Sequence, residues 1–301
     1  YGDHRDLHSF PTRRSSDLPK GAVVLRDVEE ALAKGGTNKR HAASVSGKGG
    51  LNIRSLKNGT GQPVVFIHGF GSDLSSWRPF IALLSIGNPL IGIDLPGHGG
   101  SIAETADGFD ALCNEVAASL KAAGHKRVHL VGHSLGAAVC AALSYRDDID
   151  ARSLTLLAPA GLGPKIDGDF IAGFLGASSE AALAQWMKRL VYTPSALPQS
   201  FVRASLTARE GTGLVDAQAR LVSSLFEGST QLFSITEPLH HFDGPCRIIV
   251  GRRDTIIPAS QIDAVSGNVA VHRLESVGHL PHVESAELVA RLVAETIRSA
   301  G

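Results

Sequence analysis

LVGHSLGAAV occupies residues 130–139. An apolar run ends at Gly132, a serine sits inside a Gly-x-Ser-x-Gly turn, and a small, apolar, helix-like stretch starts at Leu135. A strand feeding a helix through such a turn lifts the Ser134 hydroxyl above the edge of a sheet. Gly132 and Gly136 remove side chains that would strike neighbouring backbone. The N-terminus of the following helix favours negative charge developing at the same spot. The five-residue pattern alone is common by chance. The strand before it and the helix after it make Ser134 a candidate nucleophile.

Working outward, the same strand-then-loop grammar repeats. Val64–Ile67 is a continuous apolar run ending in HGFG, Leu90–Ile93 one ending in DLPGHGGS, and Val128–Val131 the one ending in GHSLG. Leu154–Leu157, Ile248–Val250 and Val269–Leu274 complete the series. Short runs that are apolar on both faces read as buried parallel strands. Helical patterns separate them: Phe109–Ala123, with Leu112, Val116 and Leu120 on one face; Leu135–Tyr145; and Ala286–Ile297. The alternation predicts an α/β fold with a mostly parallel, doubly wound sheet. Residues 160–238 break the rhythm with several helical segments in a row and predict an all-helical lid inserted between late strands. Before the first long strand, VSGKGGLNIRSLKNG from Val45 alternates around a Gly-rich turn and predicts a hairpin or two edge strands.

Composition sets outer limits. The 301 residues carry 29 basic and 29 acidic side chains, a formal charge of zero, which removes the electrostatic case for nucleic acid or an anionic membrane as a partner. No apolar stretch reaches the roughly 18 residues of a membrane span. Cys113, Cys140 and Cys246 form no CxxC pair or metal-type cluster. They read as buried free thiols, and the odd count points to a reducing, cytoplasmic setting. No metal or bound cofactor is expected.

This arrangement resembles the α/β-hydrolase fold from about Leu51 to Ser299. In that family the nucleophile is followed in the chain by an acid and then a histidine. GRRDTIIP offers Asp254 just past one late strand, and SVGHLPHVE offers His279 just past the last. A neutral imidazole takes the serine proton near pH 7, and a carboxylate on its other nitrogen holds the tautomer. His282 is the rival base; Asp263 and Asp243 are rival acids. The resemblance places oxyanion donors at the backbone N–H groups of Leu135 and Phe70. It makes His68, Asp94 and His98 structural; His133 flanks the serine on the turn, where its side chain is expected to point away, and reads as structural too. Phe170, Phe174 and Trp186 of the lid are candidates for an apolar substrate wall, or for packing of the lid on itself.

Two further segments narrow the resemblance. PKGAVVLRDVEEALAKGG, 19–36, is similar to part of the peripheral subunit-binding domain of 2-oxo acid dehydrogenase acyltransferases, matched at Pro19, Gly21, Val23, Asp27 and Val28. LLAPAGLGPKIDGDFIAGFLGA, 156–177, resembles the acyltransferase components of acetoin dehydrogenase. Those proteins join a lipoyl domain, a subunit-binding domain and an α/β-hydrolase domain; the sequence in hand holds no lipoyl domain. The implied organisation is a subunit-binding remnant at 19–36, a linker at 37–44 and a hydrolase domain at 45–301. Residues 1–18 are set aside as an artefact or a disordered tail, because HSFPTRRSSDL, 8–18, resembles a sequencing adapter translated in frame.

The resemblance implies acetyl transfer between dihydrolipoamide and coenzyme A, both as substrates, within a 2-oxo acid dehydrogenase-type complex. A general carboxylesterase or thioesterase, a C–C bond hydrolase, or a non-catalytic module of such a complex are the alternatives. HHFDG, 240–244, is one residue short of the H-x-x-x-D-G motif of the usual acyltransferases and reads as coincidence.

Overall fold

A computed structural model describes residues 50–265 and 268–301. The expected artefact or tail, the subunit-binding remnant, the linker and the start of the expected hairpin at 45–49 lie outside these residues. Of that hairpin region the described part forms one strand, β1 (Ile53–Lys57). The remaining strands are β2 (Val64–Ile67), β3 (Leu90–Ile93), β4 (Arg127–His133), β5 (Asp150–Leu157), β6 (Phe226–Glu227), β7 (Thr230–Gln231), β8 (Cys246–Gly251) and β9 (Ala270–Leu274).

Seven strands form one sheet in the order β1-β3-β2-β4-β5-β8-β9, and only β1 runs antiparallel to its neighbour. Burial on both faces explains the unbroken apolar runs. In β2, Val65 and Ile67 enter the apolar cluster that includes helices Phe109–Ala122 and Leu135–Ser144, while Val64 and Phe66 enter the cluster packed by helix Ala286–Arg298. Strand β8 divides the same way, with Ile248 and Val250 on one side and Ile249 on the other. Each such fully buried side chain contributes about 1.5–3 kcal/mol of transfer free energy. No polar alternation survives because neither face meets water.

The segment between β5 and β8 is the insertion. It holds helices Gly168–Gly176, Glu180–Met187, Gln199–Thr207, Leu214–Leu225 and Thr236–His240. Asp167 caps the first by accepting from Phe170 N–H at 3.0 Å, and Ser179 caps the second by accepting from Ala182 N–H at 3.3 Å. The lid is not all helical. β6 and β7 pair across a turn at Gly228 and Ser229, where Gly228 has φ +57°. A two-residue turn with glycine first closes a hairpin that helical periodicity cannot reveal. Gln231 N–H then donates to Pro164 O at 2.7 Å and fastens the hairpin to the start of the insertion.

All three cysteines are buried and free. Burial pushes the Cys113 and Cys246 thiols up to about 12 and Cys140 well above its usual value. No helix among the described residues is long and apolar enough to cross a membrane.

Candidate active site

Ser134 lies between β4 and helix Leu135–Ser144 with φ 52° and ψ −115°, a strained conformation for a residue with a side chain. The fold tolerates the strain because the turn is held on both sides. Ser134 N–H donates to Leu157 O at 2.9 Å, and Ser134 O accepts from Ala137, Ala138 and Ala160 N–H. A Cβ on Gly136 would collide with the carbonyl oxygens of Ile67 and His68, and one on Gly132 with the backbone of Gly136 and Ala137. Both glycines are therefore required by close backbone approach, as their spacing in the sequence predicts.

His279 follows β9, and its Nδ1 lies 2.7 Å from Asp254 Oδ2. Both side chains are buried, at 3% and 2% exposure. Asp254 follows β8. Its second oxygen, Oδ1, accepts from Ile256 and Ile257 N–H at 2.8 and 3.0 Å, so the carboxylate is fixed by the turn that carries it. Ser134 Oγ and His279 make no hydrogen bond to each other in this structure, although His133, the residue before Ser134, is bonded to His279. Such contacts tighten when substrate binds. Ser134, Asp254 and His279 all leave the carboxyl ends of parallel strands, where crevices form in open α/β sheets.

The HGFG loop after β2 packs beside the Ser134 turn: a Cβ placed on Gly69 would lie 3.1 Å from Ser134 Cβ. Among the described residues, Phe70 N–H and Leu135 N–H have no protein acceptor. The neighbouring polar side chains hold the loop. His68 Nδ1 bonds Gly69 O at 2.8 Å and its Nε2 accepts from Leu95 N–H at 3.1 Å. Asp94 accepts from Asn52 Nδ2, Leu74 N–H and Gly100 N–H, each at 2.7 Å. His98 Nε2 accepts from Gly71 N–H at 3.1 Å, and burial lowers its imidazole to about 3. These three side chains have their polar atoms spent on loop architecture, as the resemblance implies.

Of the rival residues, His282 lies close behind the site, and Asp263 and Asp243 lie at the surface. His282 is fully buried against Trp77, with ring centroids 4.8 Å apart, and its Nδ1 has no partner. Burial, followed by the nearby His279, lowers it to about 3. Asp263 pairs with Arg273 at the surface, and Asp243 is exposed. In the HHFDG segment, His241 stacks at 5.3 Å on Tyr145, which caps the opposite end of the helix that starts after Ser134.

His133 holds a surprise for the sequence reading. Its Nε2 lies 2.8 Å from the carbonyl oxygen of His279, and its ring stands 4.9 Å from the rings of both His279 and His282. It is a structural residue that touches the expected base directly. Of the lid candidates, Phe174 meets Phe70 edge-on at 5.9 Å and stacks on Phe170 at 5.7 Å. Trp186 covers Gly173 and lies under Arg189, so its described contacts are within the lid. A cavity of about 350 Å³ at Leu162, Leu239, His240 and Val265 includes none of the site residues in its walls. Among the described residues, no group of three or more His, Cys, Asp or Glu gathers as a metal site.

The model of the alpha/beta hydrolase family matches residues 64–292. The chain is 33% identical over 274 residues to the dihydrolipoyllysine-residue acetyltransferase component of the acetoin cleaving system of Pseudomonas putida, covering 89% of this chain and 73% of that protein. It is 28% identical over 239 residues to the component of the same name from Cupriavidus necator, covering 79% and 64%. A meta-cleavage product hydrolase from Pseudomonas fluorescens superposes with a TM-score of 0.72 at 22% identity, over 83% of this chain and 96% of that one, which shows a common fold. On the match to most of its length and the similarity to the Pseudomonas putida protein, the chain is an enzyme of the alpha/beta hydrolase family.

Proposed function

We propose that Ser134, His279 and Asp254 form a nucleophile–base–acid triad that transfers an acyl group through an acyl-serine intermediate. The buried His279–Asp254 bond of 2.7 Å beside the strained Ser134 turn carries this reading. Ser134 Oγ attacks the carbonyl carbon of a thioester or ester and gives its proton to His279 Nε2. Asp254 keeps the other proton on Nδ1 and stabilises the imidazolium. The negative charge on the substrate oxygen is met by the free N–H groups of Phe70 and Leu135. The leaving thiolate or alkoxide departs with the proton from His279. A second thiol, or water, then loses its proton to His279 and attacks the acyl carbon; the bond from that carbon to Ser134 Oγ breaks, and His279 returns the proton to Oγ.

The acceptor decides between transferase and hydrolase. Similarity to the acetyltransferase components favours an acetyl group moving between dihydrolipoamide and coenzyme A, in a complex with other subunits of an acetoin cleaving system and in a reducing, cytoplasmic setting. The subunit-binding remnant at 19–36 belongs to the same proposal. Ester or thioester hydrolysis uses the same intermediate and differs in admitting water.

Two assays test this. Hydrolysis of p-nitrophenyl acetate should fall by about 10³-fold or more in Ser134→Ala; equal rates in the two proteins would remove the triad assignment. Acetyl-dihydrolipoamide should yield acetyl-coenzyme A when coenzyme A is added; free acetate at an unchanged rate would make the protein a hydrolase.

A further inference from the structure

One carboxylate joins the lid to the loop of the expected base. Glu284 ends the short helix Pro281–Glu284, five residues past His279. Its Oε1 accepts from Gly278 N–H at 2.7 Å, and its Oε2 accepts from Tyr192 N–H at 2.7 Å and Thr193 N–H at 3.1 Å. Gly278 directly precedes His279, whereas Tyr192 and Thr193 belong to the lid, just past the turn Lys188–Leu190. Hydrogen bonds to an ionised carboxylate are roughly twice as strong as those between neutral groups.

Other contacts follow the same seam. His279 N–H donates to Leu190 O at 2.8 Å. Thr255, next to Asp254, donates its hydroxyl to Arg189 O at 2.9 Å. The Arg253 guanidinium lies 5.6 Å from the Tyr192 ring centroid. A Cβ on Gly278 would lie 2.8 Å from Tyr192 N and 2.9 Å from Leu190 O, so the two backbones touch without side chains between them. A single lid segment, 188–193, therefore contacts both the loop carrying Asp254 and the loop carrying His279.

We propose that Glu284 is a positioning residue that couples the seating of lid segment 188–193 to the placement of His279. The proposal rests on the reading of Ser134 and His279 as nucleophile and base. With the carboxylate in place, lifting the lid segment breaks its bonds from Tyr192 and Thr193 to the group that also holds Gly278, together with the His279–Leu190 bond that holds His279 by its N–H. Without the carboxylate, the His279–Leu190 bond is the hydrogen bond left between the base loop and segment 188–193, and on the sheet side His279 keeps its ring bond to Asp254 and its carbonyl bond to His133. A misplacement near 1 Å in such a site costs about 10²-fold in rate.

The test measures p-nitrophenyl acetate turnover per active site, with sites counted by stoichiometric labelling with a fluorophosphonate, alongside amide hydrogen exchange. Glu284→Ala should lower kcat per labelled site by about tenfold or more, with KM changed by less than about threefold. Glu284→Gln, which keeps one acceptor oxygen, should recover part of that loss. The amides of Gly278, Tyr192 and Thr193 should all lose protection in Glu284→Ala. A lower melting temperature with unchanged kcat per site would reduce Glu284 to a fold-stabilising residue and overturn the proposal, as would unchanged exchange at Tyr192 and Thr193. If Glu284→Ala does not fold, Glu284→Gln carries the same comparison. Turnover that survives Ser134→Ala overturns the underlying triad; turnover that needs Ser134 but ignores Glu284 overturns the coupling alone.

Discussion

The ring nitrogen Nε2 of His133 bonds the backbone carbonyl of His279 at 2.8 Å, across 146 residues of chain. The residue before the expected nucleophile thus holds the expected base by its main chain. Burial, then the charges of His282 and His279, lower His133 well below its usual pKa. It stays neutral with its proton on Nε2, the donor this bond requires.

His133→Ala removes that donor and leaves the His279 carbonyl without its partner. An unsatisfied buried acceptor costs about 1–3 kcal/mol, and the emptied ring volume adds to it. A drop in denaturant midpoint is expected, with turnover per folded molecule reduced by about tenfold if the His279 backbone shifts. Stability and kcat both at wild-type level would show that the bond does not hold the loop.

Gly136→Ala should abolish folding. The added methyl meets the carbonyl oxygens of Ile67 and His68, which belong to the sheet and its loop and cannot rotate away. Overpacking against side chains costs about 1–3 kcal/mol, and rigid backbone raises the figure. Soluble, cooperatively melting protein would contradict the close approach of β2 and the helix after Ser134.

Acid should weaken the fold through buried histidines. Burial lowers His98 and His282 from 6.5 to about 3, with His68 and His279 as the next causes respectively. Between pH 6.5 and about 3 the unfolded chain binds these protons and the folded chain does not, so stability falls as pH drops through that window. Each histidine contributes about 2 kcal/mol of loss by pH 5. His282→Phe keeps an aromatic ring beside Trp77 and removes a nitrogen that has no partner. Urea midpoints at pH 7.5 and pH 5 should lie closer together in this variant; an unchanged gap would mean that His282 is protonated in the folded state.

Phe174 meets Phe70 of the HGFG loop edge-on, and its backbone and ring are held by Arg209, with the guanidinium carbon 4.1 Å from the ring centroid. Phe174→Leu shortens the side chain over that loop without emptying the site. The kcat/KM ratio of p-nitrophenyl butyrate to acetate should rise by about tenfold, the scale of one or two methylenes in an apolar pocket. An unmoved ratio would return Phe174 to packing of the lid alone.

Local chemistry makes the sheet and the sharp turn at Ser134 readable in the sequence. The apolar runs at Val64–Ile67 and Leu90–Ile93 coincide with strands because burial on both faces leaves no other composition open to them. Gly132 and Gly136 were legible because a crowded turn admits no side chain on either side of Ser134. The β6–β7 hairpin is not legible in the sequence, since two-residue strands have no period. The roles of His133 and Glu284 were equally hidden. Each acts on backbone far away in the chain, and no residue type or spacing marks a side chain that bonds the main chain of another loop. The sequence by itself determined which residues could form strands, the sharp turn and the order serine, acid, histidine. Only the tertiary structure decided which side chains meet, because those meetings depend on how separate loops converge at one edge of the sheet.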